Sequence, residues 1–339
     1  MNQGRALIAA AGLFVLGASS LAAQKTDVVV IRNGDHITGE IKQLNRGILT
    51  YKTDDLGTIS IEWDKVIRLT SRQYFEVETE AGDRVFGAIA SGADTLSAVV
   101  SGLSIPLASI VRINPIRSRF FERLDGYLDL GFTFQQANTV LQFTIDLSVT
   151  LRTRDWLTTL QGSSYLQNQE GSASQTRNSA DFQAQRMLGH HWAAIGFGAL
   201  QQNEELGLDL RTQLGAGAGY AFKQTNRMRI QGLAGLAYTG ERFSSDSGTR
   251  DLIEGLVGAQ FEFFHPDHPT TDISISGAVF PGLTEFGRVR GQFDARVAHE
   301  LIKDFTIGVT IFETFDSRPP DPTLPKNDFG VTLTLGWSF

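Results

Sequence analysis

From Leu124 to the C-terminus the chain alternates apolar and polar residues in runs of ten or more. Successive side chains of a strand point to opposite faces, so each run builds a ribbon with one apolar and one polar side. In the first run Leu124, Leu128, Leu130, Phe132 and Phe134 share one face, with Asp125, Tyr127, Asp129, Thr133 and Gln135 on the other. In the second, Leu141, Phe143, Ile145, Leu147, Val149 and Leu151 oppose Gln142, Thr144, Asp146, Ser148, Thr150 and Arg152. The last run sets Val331, Leu333, Leu335, Trp337 and Phe339 against Gly330, Thr332, Thr334, Gly336 and Ser338. Soluble strands run ~5–6 residues. A tilted strand crossing a bilayer needs ~9–11, and these runs have that length with some overhang.

About twelve such segments are legible, centred near Leu130, Ile145, Leu160, Phe182, Ile195, Ala216, Ala234, Ala259, Ile275, Phe293, Val309 and Leu333. Their connections alternate in length. Thr153–Asp155, Leu188–His191, Lys223–Asn226, His265–Thr271 and Leu301–Asp304 are short. Asn168–Asn178, Gln202–Asp209, Gly240–Asp251 and Asp316–Asp328 are longer and more polar. Short periplasmic turns and long outer loops follow that rule in outer-membrane barrels. The pattern predicts an all-β chain: a transmembrane antiparallel barrel of about twelve strands over residues 119–339. Phe339 is then the lipid-facing end of a closing strand beside the first. A soluble sandwich would have shorter strands and bury its apolar faces in one core.

The first 23 residues predict an export signal. Arg5 supplies a positive start, Ala6–Leu16 an apolar core, and small residues lead to cleavage after Ala23 or Ala22. A permanent anchor would need ~20 apolar residues. Thr95–Val111 lacks charge but is broken by Ser97, Ser101, Gly102, Ser104 and Pro106. Membrane residence therefore requires a barrel. With no Cys, disulfides, thiolate metal sites and a lipidated N-terminal Cys are excluded. The net charge of −7 gives no electrostatic footprint for nucleic acid.

Residues 24–118 predict a separate periplasmic all-β domain with an internal repeat. Gly34–Ile41 matches Gly82–Ile89, 48 residues on, and Ile59–Ile61 followed by Val66–Leu69 matches Leu103–Ile105 followed by Ile110–Ile113, 44 residues on. The four-residue difference falls in the connection between the halves of the unit. Asn33-Gly34 predicts a type I′ turn. Two SH3-like or Sm-like units acting as a plug or spacer are expected, with Tyr51 and Trp63 in the core.

Three stretches resemble a known family: Asn33–Ile41, Leu49–Asp54 and Gly57–Asp64. They resemble the start of proteins of the domain of unknown function 481 family, the salt-induced outer-membrane protein type. The terminal Gly336-Trp337-Ser338-Phe339 looks like the strand that barrels present to their assembly machinery, with Trp337 and Phe339 carrying the signal. The resemblance is expected to span most of the mature chain. It implies location and fold, and brings neither catalytic residues nor a ligand.

No catalytic constellation is legible. Six His are present. His190-His191 falls in a short turn and His299 near a strand end. His265-Pro266-Asp267-His268-Pro269 could hold a metal, though a rigid Pro-rich turn accounts for the same residues, and no metal or cofactor is expected. The predicted lumen face carries Arg288, Arg290 and Arg296 with Gln292 and Asp294. Arg227 and Arg229 project the same way, as do Glu254 and Glu262. These form either a selectivity ring or an interior sealed by paired charges. Pro319, Pro320, Pro322 and Pro325 stiffen the last outer loop. The expected role is a non-enzymatic narrow channel or envelope-structural protein in outer-membrane lipid, tied to osmotic or salt stress through the resemblance. A barrel enzyme acting on lipid or peptide, and a surface receptor or adhesin, are the alternatives.

Overall fold

The structure is a computed structural model that describes residues 26–92, 96–117, 119–135, 140–169, 175–204, 208–244, 249–318 and 326–337. The expected export segment with Ala23, the four prolines at 319–325 and Phe339 lie outside the described residues.

The front region forms a nine-stranded sheet: β1 (Asp27–Ile31), β2 (His36–Asn45), β3 (Ile48–Lys52), β4 (Thr58–Glu62), β5 (Val66–Thr79), β6 (Arg84–Ser91), β7 (Ser97–Val100), β8 (Leu103–Pro106) and β9 (Ile110–Pro115). β9 pairs with both β2 and β5, which turns the sheet back on itself. The sequence repeat is repeated in hydrogen bonds. Ile31 N–H donates to Asp35 O and Gly34 N–H to Ile31 O, while Thr79 N–H donates to Asp83 O and Gly82 N–H to Thr79 O. Arg32 N–H meets Lys65 O, as Glu80 N–H meets Ser109 O. β5 serves both units: its first half pairs with β1 and its second with β6. Most of the four-residue difference lies after β3, where the five residues Thr53–Gly57 link to β4 while Ser101-Gly102 alone links β7 to β8.

The expected type I′ turn at Asn33-Gly34 does not form. Gly34 takes a φ of +92°, but Asn33 is not among the positive-φ residues. The connection spans three residues, Arg32 to Gly34, and the Ile31–Gly34 hydrogen bond leaves Gly34 as the one left-handed position. Gly82 repeats it at +80°. Two-residue turns with positive φ at both positions occur instead at Arg46-Gly47 (+54° and +72°), Ser101-Gly102 (+50° and +82°) and His190-His191 (+49° and +69°).

Tyr51 and Trp63 belong to the front core with Val29, Ile41, Leu69, Phe75, Ile89 and Ile113. The Trp63 indole N–H donates to Leu107 O at 2.8 Å, and Leu107 is Trp63's own counterpart in the second unit. This bond ties the units at their relation axis. Trp63→Ala is expected to cost about 3–5 kcal/mol of front-domain stability, and Trp63→Phe, which strands one carbonyl, about 1–3 kcal/mol; denaturant unfolding followed by circular dichroism checks both.

The remainder forms a twelve-stranded antiparallel sheet in strict chain order: β10 (Leu124–Gln135), β11 (Val140–Arg152), β12 (Trp156–Gln169), β13 (Gln175–Gly189), β14 (Trp192–Asn203), β15 (Leu208–Gln224), β16 (Met228–Phe243), β17 (Thr249–His265), β18 (Thr271–Pro281), β19 (Val289–Ile302), β20 (Phe305–Asp316) and β21 (Asn327–Trp337). Each of the twelve expected centres falls in its own strand. Register follows the alternation: Leu128 faces Leu147, Leu130 faces Ile145 and Phe132 faces Phe143, with Val309 opposite Leu333 at the far edge. A slip of one residue would move every such side chain to the other face. Leu130, Phe182, Leu214, Leu236, Val257, Val279 and Leu333 all remain exposed on the outer face.

Two expectations change. The polar stretches read as long loops are partly strand: β12 runs to Gln169 and β13 begins at Gln175, and the Ser163–Ser179, Ser164–Asn178 and Asn178–Gln202 hydrogen bonds hold polar side chains across neighbouring strands. Among the described residues no ladder joins β21 to β10, so the expected pairing of last strand with first is not seen. Residues 125–134 of β10 and 331–337 of β21 are exposed on both faces. Alternation fixes which face a side chain takes, but the backbone edge of a strand carries no residue code for its partner.

Asp27 is fully buried in the front domain, where its carboxylate accepts from Ile41 N–H at 2.8 Å and from the Ser71 hydroxyl. Burial raises its pKa above the ordinary value. The protonated form therefore favours the fold: this contribution is fully present below ~3.9 and is lost as pH rises through the raised value. Asp27→Asn is expected to melt at or above the wild type at pH 7, with the difference vanishing toward pH ~4. Asp27→Ala leaves Ile41 N–H without an acceptor and costs about 1–3 kcal/mol. Melting curves across pH test this ordering.

Candidate functional site

Outward apolar faces leave the charged residues on the inner face of the twelve-stranded sheet, where they must find each other. At the long-loop end they do so across several strands. Arg290 on β19 reaches Glu254 on β17, with Nε 2.8 Å from Oε1, and the Thr239 hydroxyl of β16 donates to the same carboxylate at 3.0 Å. Arg211 of β15 pairs with Glu241 of β16 at 2.9 Å. Arg288, in the loop entering β19, makes a two-pronged contact with Asp316 of β20 at 2.6 and 3.1 Å and lies 3.9 Å from Glu241. Glu241 is 0%, Glu254 1% and Arg288 2% exposed. The ion pairs therefore span this end of the inner face over β15–β20.

The front domain sits on the opposite, short-turn end. Arg84 bonds Arg154 O and pairs with Asp155 in the β11–β12 turn, and the Arg154 guanidinium lies over the Phe86 ring. His191, in the β13–β14 turn, packs on Gly82: a Cβ there would stand 2.9 Å from the imidazole. Asn226, in the β15–β16 turn, donates to Ile110 O at 2.7 Å. Arg46 pairs with Asp272 and covers the Phe264 ring. Glu62, Asp64 and Asp267 bring carboxylate oxygens within 4.8 Å of one another, and Lys65 supplies the opposing charge, 2.6 Å from Glu62 and 3.8 Å from Asp267. The neighbouring Asp267 carboxylate pushes the Glu62 carboxyl above its ordinary value while that of Asp267 is lowered, so of the two Glu62 takes a proton first as pH falls.

Between these two ends lies a chamber of about 590 Å³, within the ~300–1,000 Å³ range of small-molecule sites. The front sheet contributes Gln43 and Asn45 of β2, Glu78 of β5, Arg84 of β6, Arg112 and Asn114 of β9, and Gly82 from the β5–β6 turn, and β11–β19 with the β13–β14 turn contribute the rest. Leu157, Met187, Ile195 and Leu233 give it an apolar wall, and Arg112, Arg152 and Arg229 a cationic floor.

The residues singled out from sequence separate into distinct places. Arg290 with Glu254 belongs to the long-loop cluster. Arg229 with Glu262, 3.1 Å apart, belongs to the chamber floor, where Arg229 also bonds Asn45 of the front domain. They do not form one ring. Arg296 stays exposed on β19. Arg227 does not share a face with Arg229: it lies in the turn before β16, against Asp267 and His265, because β16 begins one residue later. His265 and His268 diverge, His265 to Arg227 and His268 to Glu300, so the Pro-rich turn does not gather its imidazoles. Trp337 is exposed on β21. Arg211, Glu241 and Asp316 were not singled out. Arg152 was legible only as the polar end of its run, and Arg112 not at all as a partner of the barrel-like sheet, since nothing local in sequence links β9 to it.

A family model described as "Protein of unknown function, DUF481" matches residues 128–339. The chain belongs to this family. The match begins inside β10 and covers the twelve-stranded sheet, leaving the front sheet outside it. The stretches between Asn33 and Asp64 that carried the resemblance thus lie outside the matched span, and membership rests on the second sheet. No curated protein and no solved structure matches the chain.

Removing one partner of a buried ion pair strands the other. Arg290→Ala is expected to cost about 3–5 kcal/mol, whereas Arg290→Met with Glu254→Leu recovers most of it. Urea unfolding of the full chain in detergent distinguishes the two; a single substitution costing no more than the double one would show that the pair does not bear on stability.

Proposed function

We propose that this chain is a non-enzymatic outer-membrane β-barrel protein with a closed interior, serving an envelope-structural role and holding its front domain at the periplasmic mouth. The observation carrying this reading is the buried ion-pair cluster. Arg211, Glu241, Arg288 and Asp316, with Glu254 and Arg290, neutralise one another across the inner face. A selectivity ring would present one sign of charge to water. Support for the membrane comes from strand length, from the exposed apolar outer face and from the front domain lying at the short-turn end. Barrel closure in lipid requires β10 and β21 to pair, because an open edge strands backbone groups there. The non-enzymatic reading is supported by the His: His190 and His191 form a turn, and His265, His268 and His299 contact Arg227, Glu300 and Thr271. A closed barrel adds no leak under osmotic load, in keeping with the salt-linked role implied by the resemblance.

The purified full chain in planar bilayers is expected to give no sustained conductance in KCl at either polarity. A steady wild-type conductance would overturn the closed reading in favour of a narrow channel. Recovery of the expressed chain outside the outer-membrane fraction would overturn its location.

A further inference from the structure

We infer that the chamber between the front domain and the barrel-like sheet binds a small amphiphilic anion, a carboxylate or phosphate group on an apolar body, with Arg152 as its principal ligand. The argument starts from charge pairing. Arg84 is held by Glu76, Arg112 by Glu78 at 2.9 Å and Arg229 by Glu262 at 3.1 Å. Arg152 has no carboxylate at ion-pair distance, Glu76 and Glu78 acting on it only from farther off: its Nη1 is buried without a hydrogen-bond acceptor, and so is Nε of Arg229. Arg112 stands within electrostatic reach of both Arg152 and Arg229. Four guanidinium groups, those of Arg84, Arg112, Arg152 and Arg229, thus line the chamber with two unused buried donors among them. A buried cation is stable when it is paired and hydrogen-bonded, and a carboxylate or phosphate supplies two or more acceptors to such forks.

The second half of the inference comes from the wall. Leu157, Met187, Ile195 and Leu233 line the same chamber. Inorganic phosphate would leave that wall uncovered, whereas an apolar body would cover it. Among the described residues the one chamber carboxylate without an ion-pair or hydrogen-bond partner, Asp294, comes from β19 rather than from the floor. It disfavours a bare anion filling the whole volume and tolerates one anchored at the Arg152 side. This inference concerns the chamber alone and does not depend on whether the long-loop end conducts.

The test is isothermal titration of the full chain in detergent with four probes: phenyl phosphate, 4-phenylbutyrate, inorganic phosphate and phenethylammonium. Both aryl anions are expected to bind. Inorganic phosphate should bind at least about tenfold more weakly, and the cation should not bind. Arg152→Gln should weaken both aryl anions about tenfold or more while leaving the melting temperature of the unliganded protein equal or higher, since it removes an unpaired buried charge. Leu233→Trp, which fills the apolar side, should weaken the aryl anions and spare inorganic phosphate. Absence of aryl-anion binding, equal binding of inorganic phosphate, or unchanged affinity in Arg152→Gln would each overturn the assignment. A bilayer conductance would overturn the closed-barrel reading and leave these titrations unaffected.

Discussion

The structure depends on the two-faced antiparallel ladder of the second sheet. Each strand from β10 to β21 sends its apolar residues one way and its polar residues the other, and the register passes this division from strand to strand. Once Leu130, Leu236 and Leu333 are committed outward, Arg211, Glu254 and Arg290 have only the inner face. There they are removed from water, and burial forces them to pair. The ion-pair cluster at the long-loop end follows from that division.

The front sheet answers the same requirement at the other end. Its two units share β5 and meet where the Trp63 indole bonds Leu107 O. That leaves turns and edges to face the second sheet: Gly82 against His191, Arg84 against the β11–β12 turn, and Asn45 against Arg229. These are mostly polar and charge-assisted contacts, typical of an interface between separately folded units. The chamber is what the two sheets enclose without filling, and its excess of guanidinium over carboxylate at the floor gives it a chemical preference.

Strand number, face assignment and the internal repeat were legible in sequence because each is a local periodicity. Period two fixed the faces, and the 48- and 44-residue offsets located the repeat and its shortened Ser101-Gly102 turn. The turn type at Asn33-Gly34 was misread, since the dipeptide signal does not record that Arg32 also belongs to the connection. Loop lengths were overstated for a related reason: polar residues such as Ser164 and Asn178 remain in strands when they can hydrogen-bond across them.

By itself the sequence determined which residues point in and which point out, and so the class of fold. Tertiary structure alone decided which charges meet. Arg290 and Glu254 are 36 residues apart, Arg211 and Glu241 30, and Asn45 and Arg229 184. Pairing over such separations is set by strand register and sheet curvature, which no local pattern encodes. The same is true of Arg152, whose lack of a partner becomes visible only when Arg84, Arg112 and Arg229 are seen to have taken the nearby carboxylates.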